Sequence, residues 1–239
     1  MVSEEEQASL LALQQTLGYV FKNPGWLETA LTCPSYRTNP AADGVEDNQR
    51  LEFLGDAVFG LLTAQFVFER FAGEDEGSLT VRRSHLASGR GLAELARRVG
   101  LGAHLRLGRV DESMGGRDKE RALTEAMEAV FGAAWRDGGL AAAQAIFDAL
   151  VAERADAPLD VWADNPKGGL QELAQRHGWP DSPAYEVVES AGPSHAPVYT
   201  VKARVAGGHE ASGTGRTKRA AEVAAAEALL AQLKAAGLE

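Results

Sequence analysis

Residues 47–66, DNQRLEFLGDAVFGLLTAQF, are the stretch that decides the fold of this 239-residue chain. Their apolar spacing predicts a helix that is apolar on most of its circumference and largely buried, with Asn48 as its N-cap. Glu52 and Asp56 interrupt the apolar surface four residues apart, so they share one face, where like charges repel. A buried helix with two adjacent carboxylates needs either solvent or a cation on that face.

A second apolar helix carries a second pair of acids. Residues 121–135, RALTEAMEAVFGAAW, place Glu125 and Glu128 three residues apart. Arg121 precedes Glu125 by four residues and is placed for a surface ion pair, so for either helix alone a solvated acidic face is the simpler interpretation. Together, four carboxylates on two apolar helices favour a site for Mg²⁺, or Mn²⁺ in its place, because both ions prefer oxygen ligands. Such a site suits phosphodiester hydrolysis by a metal-activated water.

The chain divides into two parts of different texture. Helical spacing from Leu10 to Asp137 predicts an all-α first part. Periodicity then fades among prolines and small residues, which indicates a linker at residues 156–166 between domains at 1–155 and 167–239. After the linker, a short helix, three alternating segments and an alanine-rich helix predict a small α+β domain of order α-β-β-β-α.

Composition excludes several classes of function. The net charge of -10 argues against a nucleic-acid partner, but residues 160–239 carry 8 basic against 10 acidic residues, so most of the acidity lies in the first part. The single cysteine, Cys33, excludes an internal disulfide and a thiol pair for zinc. An acidic start and the lack of a long apolar run predict a cytoplasmic protein with no membrane partner. No Walker A or GxSxG pattern is present, and no organic cofactor is expected.

The stretch NQRLEFLGDAV closely resembles the signature of the ribonuclease III family, and LTEAMEAVFGA resembles that family's second acidic helix. The resemblance spans nearly the whole chain. It implies a magnesium-dependent endonuclease that cuts double-stranded RNA in processing ribosomal and other precursors, leaving 5′-phosphate and 3′-hydroxyl ends. Carried over by position, it makes Glu52, Asp56, Glu125 and Glu128 the catalytic, metal-binding acids, and Glu76 an auxiliary catalytic acid.

Three positions depart from the family pattern. Gln49 stands where the family usually has a glutamate, Glu125 where it typically has an aspartate, and Cys33 where it often has a histidine. The extra methylene of Glu125 displaces the carboxylate by about a C–C bond length, and misplacements near 1 Å can cost on the order of 100-fold in rate. A change of rotamer restores the oxygen, so an active enzyme is expected.

The resemblance also implies a homodimer in which Phe53 inserts into the partner subunit. From the helix pattern alone, Phe53 is an ordinary core residue. Two-fold symmetry has a physical reason, because the strands of a duplex are antiparallel and a symmetric dimer presents an equivalent site to each.

The end of the chain, GTGRTKRAAEVAAAEAL, resembles the last strand and helix of a double-stranded-RNA-binding domain. Gly213 and Gly215 are interpreted as allowing the backbone to approach a phosphate at the following helix N-terminus. The resemblance assigns RNA contacts to Gln171, His195, Thr217, Lys218 and Arg219. Such domains recognise A-form shape over about 16 base pairs with little dependence on sequence.

Two other functions account for part of the pattern. A catalytically inactive relative that only binds RNA duplexes is favoured by Gln49 and Glu125. A metal phosphohydrolase of small substrates explains the acids but leaves the C-terminal domain without a purpose.

Overall fold

The structure, a computed structural model, describes residues 4–39, 44–151, 165–180, 182–193 and 196–238. The chain separates into two compact units, Met1–Leu159 and Asp160–Glu239. Most of the predicted linker lies outside the described residues, so its position remains a prediction.

The described part of the N-terminal unit is helical, as predicted. Its helices are α1 (Glu4–Leu17), α2 (Pro24–Ala30), α3 (Gln49–Arg70), α4 (Glu76–Leu86), α5 (Gly89–Arg98), α6 (Arg109–Ser113) and α7 (Glu120–Val151). The helix α7 breaks at Gly139, whose φ of 70° lies in the left-handed region that glycine adopts without strain. Short 3₁₀ turns join several helices, and Thr32 forms one isolated bridge with Arg106.

The two acidic helices, α3 and α7, pack directly against each other at the centre of this unit. The ring of Phe59 on α3 contacts two rings of α7: its centroid lies 4.8 Å from that of Phe131 and 5.7 Å from that of Phe147. All three rings are almost completely buried. Full burial of one such side chain contributes about 1.5–3 kcal/mol, so this cluster is a large part of what holds the two helices together.

Asp137, beyond the second pair of acids on α7, fastens the connection between α1 and α2. Its carboxylate accepts hydrogen bonds from the Tyr19 hydroxyl at 2.8 Å and from the backbone N–H groups of Lys22 and Asn23 at 2.7 and 2.9 Å. Burial acts to raise its pKa, but these hydrogen bonds outweigh burial and hold the pKa below its usual value. Asp137 is therefore a structural carboxylate, unlike the four acids of α3 and α7.

The C-terminal unit has the predicted α-β-β-β-α order. Its elements are α8 (Pro166–Arg176), β1 (Ala184–Ala191), β2 (Val198–Arg204), β3 (Glu210–Gly215) and α9 (Lys218–Ala235). The strands form an antiparallel sheet in the order β1-β2-β3, with a register shift between Val187 and Glu189. Leu173, Val201 and Leu229, from α8, β2 and α9, are fully buried in its core.

Two local features of the sequence have a different structural basis from the one expected. Asn48 occupies the N-cap position of α3 as predicted, but its backbone is helical (φ -78°, ψ -9°) and its buried side chain makes no capping hydrogen bond. The side chain of Asp47 bonds to the start of the helix instead, because its Oδ1 accepts a hydrogen bond from the Gln49 N–H at 3.2 Å. Gly213 and Gly215 pack against α9, and their approach to a phosphate stays a prediction. A Cβ on Gly213 would lie 2.1 Å from Ala225 N, so these glycines let β3 approach α9.

Candidate active site

Two glycines set the separation of the acidic helices. A Cβ on Gly55 of α3 would lie 1.7 Å from the carbonyl oxygen of Glu128, and one on Gly132 of α7 would lie 2.1 Å from that of Leu51. No side chain fits at either position, so the backbones touch at this crossing. Glu52 and Asp56 flank Gly55 on α3. The crossing therefore brings both pairs of acids to one place.

Electrostatics show that the four carboxylates act on one another. Burial, followed by the charges of Asp56, Glu52 and Glu125, raises the pKa of Glu128 to about 7. Burial also raises the pKa of Glu52, with a further contribution from Glu125 that is partly offset by Arg121. Desolvation and like charge both disfavour ionisation, and a bound cation reverses both effects. The predicted acids are thus close enough to act on one another, and the net effect on Glu52 and Glu128 disfavours their ionised forms.

The side chains do not form a ready metal cage. Within the described ranges, no group of three or more acidic, histidine or cysteine side chains is positioned to hold a metal ion. One of the four carboxylates is already paired on α7, where Arg121 Nε donates to Glu125 Oε1 at 2.5 Å. The i to i+4 ion pair considered in the sequence is therefore present, and it turns one of the four carboxylates toward the guanidinium. The four charges are therefore near enough to act on one another, although their side chains as placed do not converge on one metal position.

The other predicted or divergent positions, Glu76, Gln49 and Cys33, have different surroundings. Glu76 begins α4 and is exposed, and it is not among the charges that shift the pKa of Glu52 or Glu128. Gln49 Oε1 lies 3.5 Å from Arg37, whose guanidinium is also paired with Asp47. Cys33 is buried, and burial, followed by the charge of Glu125, raises its thiol pKa to about 11. The thiol is therefore unreactive at neutral pH.

An exposed apolar stripe runs along α3 beside the acids. It consists of Phe53, Ala57, Leu61 and Phe68, which recur at spacings of four, four and seven residues and so share one helix face. Phe53 is 83% exposed, Phe68 70% and Leu61 52%. The interpretation of Phe53 as an ordinary core residue is wrong, since its ring lies outside the core of its own chain. This α3 stripe has the character of a surface that another molecule covers.

Three of the five predicted RNA contacts of the C-terminal unit lie at the start of α9. Thr217 is its N-cap, with its hydroxyl accepting from the Ala220 N–H at 3.1 Å, and Lys218 and Arg219 follow in the exposed first turn. Gln171 lies on α8 and is also exposed. His195 lies outside the described residues. A capped helix start with two exposed cations is chemically suited to a phosphate.

Comparison with known proteins accounts for both units. Residues 23–154 match the family model Ribonuclease-III-like, and residues 166–233 match the double-stranded RNA binding motif. The chain is 43% identical to Ribonuclease 3 of Ruegeria pomeroyi over 226 residues, and this aligned region covers 95% of this chain and 98% of that protein. It belongs to the ribonuclease III family.

Further members of the ribonuclease III family agree with this assignment. Ribonuclease 3 of Dinoroseobacter shibae is 44% identical over 218 residues, which cover 91% of this chain and 93% of that protein. Among solved structures, the nuclease domain of ribonuclease III from Campylobacter jejuni is similar, with a TM-score of 0.56 and 32% identity over 67% of this chain and all of that domain. The predicted family, and with it the all-α domain followed by a double-stranded-RNA-binding fold, is confirmed.

Sequence reasoning missed the two glycines that hold the ribonuclease III helices together. A signal for them was available, because Gly55 and Gly132 lie inside otherwise apolar helices, where glycine costs about 1 kcal/mol relative to alanine. Such a residue usually has a packing reason. What the sequence does not contain is which glycine meets which helix.

Proposed function

We propose that this protein is an endoribonuclease that hydrolyses phosphodiester bonds of double-stranded RNA. The observation that carries the proposal is the meeting of four carboxylates at the α3–α7 crossing, in a chain that also contains a double-stranded RNA binding motif. The relatives named Ribonuclease 3 extend over nearly the whole chain, so both parts are accounted for together. Its proposed role is the processing of ribosomal and other RNA precursors.

The donor set fits a hard divalent cation, which we propose to be Mg²⁺ with Mn²⁺ as a substitute. All four ligands, Glu52, Asp56, Glu125 and Glu128, are carboxylates, and two of them have raised pKa values that a bound cation would lower. When bound, the metal supplies an activated water and stabilises charge on the phosphate. For Glu125 to take part, its carboxylate must leave Arg121. The exposed Glu76 serves as an auxiliary acid beside the substrate.

In this proposal, the C-terminal unit binds and positions the RNA duplex. Lys218 and Arg219, at the N-terminus of α9, bind a phosphate of the RNA backbone, while Gln171 and His195 contact the minor groove. Thr217 holds the helix start in place through its capping bond. Recognition through phosphates and 2′-hydroxyls selects the A-form duplex and not a particular sequence.

The α3 stripe is proposed as a homodimer interface that includes Phe53. One of the similar Campylobacter jejuni structures concerns a region involved in dimer formation in its nuclease domain. The helix α3 is also long and apolar enough to cross a membrane by length and composition. Its packing against α7 and its two carboxylates favour a soluble dimer, so we propose a cytoplasmic protein with no membrane partner. Sedimentation should show a dimer that Phe53→Asp dissociates and that Val110→Asp, at another highly exposed apolar site on α6, leaves intact.

The activity is tested by incubating a long RNA duplex with the full chain in Mg²⁺ or in EDTA. We expect fragments with 5′-phosphate and 3′-hydroxyl ends in Mg²⁺ alone, and no cleavage by Glu128→Gln. The matched control is Glu69→Gln, which removes an exposed carboxylate from the far end of α3 and should cut normally. Duplex that is retarded on a gel but intact in Mg²⁺ identifies an RNA-binding protein without catalysis. Duplex that is neither bound nor cut excludes both functions.

A further inference from the structure

The strongest unassigned feature near the proposed site is the guanidinium of Arg121. Its side chain is 89% exposed, whereas that of its partner Glu125 is only 21% exposed. Among the described residues, Arg121 is the cation that lowers the pKa of Glu52, and no cation lowers the pKa of Glu128. Within the described residues, the cation that acts on Glu52 therefore stands at the edge of the four-carboxylate cluster, paired with Glu125.

We propose that Arg121 is an internal counter-ion that competes with the divalent metal for Glu125, and thereby sets the metal affinity of the site. The inference rests on the proposed function, because it assumes that the four carboxylates bind a metal. Arg121 itself is a positioning residue, since it touches a ligand and not the reacting atoms.

The competition follows from the geometry. Arg121 Nε lies 2.5 Å from Glu125 Oε1, so the guanidinium occupies an oxygen that a metal would need. The two residues are one helical turn apart, on the first turns of α7, and the pair can form without any movement of the backbone. As the side chains stand, the four carboxylates do not converge on a metal position within the described part of the chain.

The exposure of Arg121 makes the counter-ion displaceable. An ion pair with one fully solvated partner is weak, so a metal that also contacts the other carboxylates can replace it. The longer side chain of Glu125, compared with aspartate, lets its carboxylate reach either the guanidinium or the other acids by changing rotamer. Glu125 and Arg121 therefore act as a pair, and the departure of Glu125 from the family pattern is matched by a cation four residues earlier.

The test measures Mn²⁺ binding to the full chain without RNA, by titration calorimetry and by the paramagnetic resonance signal of free Mn²⁺. Removing the competitor in Arg121→Ala should tighten binding by about two- to five-fold, the range that exposed ion pairs contribute. Arg121→Gln, which keeps a long polar side chain, should do the same. The matched control is Lys119→Ala, which removes an equal charge from an exposed position just before α7 and should have a smaller effect.

A double-mutant cycle isolates the pair from the general effect of charge. In a Glu125→Gln background, Arg121→Ala should change Mn²⁺ affinity no more than Lys119→Ala does. If Arg121→Ala and Lys119→Ala give the same affinity in the wild-type background, the counter-ion role is wrong even though the enzyme binds Mn²⁺ and cuts duplex RNA. If the wild-type chain neither binds Mn²⁺ nor cuts RNA, the proposed function fails instead.

Discussion

Replacing Gly55 with alanine tests whether the α3–α7 crossing builds the site. The added Cβ would lie 1.7 Å from the Glu128 carbonyl oxygen, whereas ordinary contact begins near 3.4 Å, so the helices must separate locally by about 1.7 Å. The added carbon is fixed to the α3 backbone and meets backbone of α7, so no rotamer change relieves the clash. The separation moves one pair of carboxylates away from the other.

Two effects follow, and their magnitudes differ. Overpacking of this kind costs about 1–3 kcal/mol, which exceeds the roughly 1 kcal/mol that alanine gains over glycine in a helix. A displacement above 1 Å at the site lowers the rate by about 100-fold or more. We therefore expect Gly55→Ala to lose most of its Mg²⁺-dependent cleavage at temperatures where circular dichroism shows it still folded.

The assay pairs urea denaturation with initial rates of duplex cleavage. Gly89→Ala is the matched control, because Gly89 also lies in a helix beside α7 but its Cβ would lie 3.7 Å from Thr124 Oγ1, an ordinary contact. This variant should keep both stability and rate. Wild-type stability and cleavage in Gly55→Ala would refute the idea that close backbone approach positions the acids.

Three further predictions concern charge. In EDTA, Glu128→Gln should be more stable than wild type by about 1–2 kcal/mol above pH 7, after allowance for the solvent screening of a half-buried group. The pKa of Glu128 in the folded protein, about 7, exceeds its ordinary value of 4.5, so the stability of the wild type falls as the pH rises from 4.5 to 7. In urea titrations, the extra stability of Glu128→Gln should therefore vanish below pH 4.5. The control Glu69→Gln should show no extra stability at any pH. Asp137→Asn should lower the free energy of unfolding by about 1–3 kcal/mol in the same assay, because three hydrogen bonds lose their charged acceptor. Lys218→Ala should reduce the salt-dependence slope of duplex binding by about one unit, whereas Lys234→Ala, at the other end of α9, should leave it unchanged.

The sequence by itself determined the kind of protein. Helical spacing, glycine and proline punctuation and strand alternation are local signals, so they predict both the all-α part and the α-β-β-β-α part in their observed order. The motif around Glu52 and Asp56 is specific enough to indicate the family on its own. The residues proposed to bind metal and RNA remain predictions, which rest on their chemical types and on the resemblance to the family.

Tertiary structure decided how those residues relate to one another. Periodicity describes one helix at a time, so it does not reveal that Gly55 meets the Glu128 carbonyl or that Gly132 meets that of Leu51. It also places Phe53 in the core, because an apolar face looks the same whether its own chain or another molecule covers it. The spacing of Arg121 and Glu125 indicates an ion pair as an alternative to a metal site. Only the packing of α3 on α7 shows that the ion pair and the acid cluster exist together, since charges from separate helices become neighbours only through the fold.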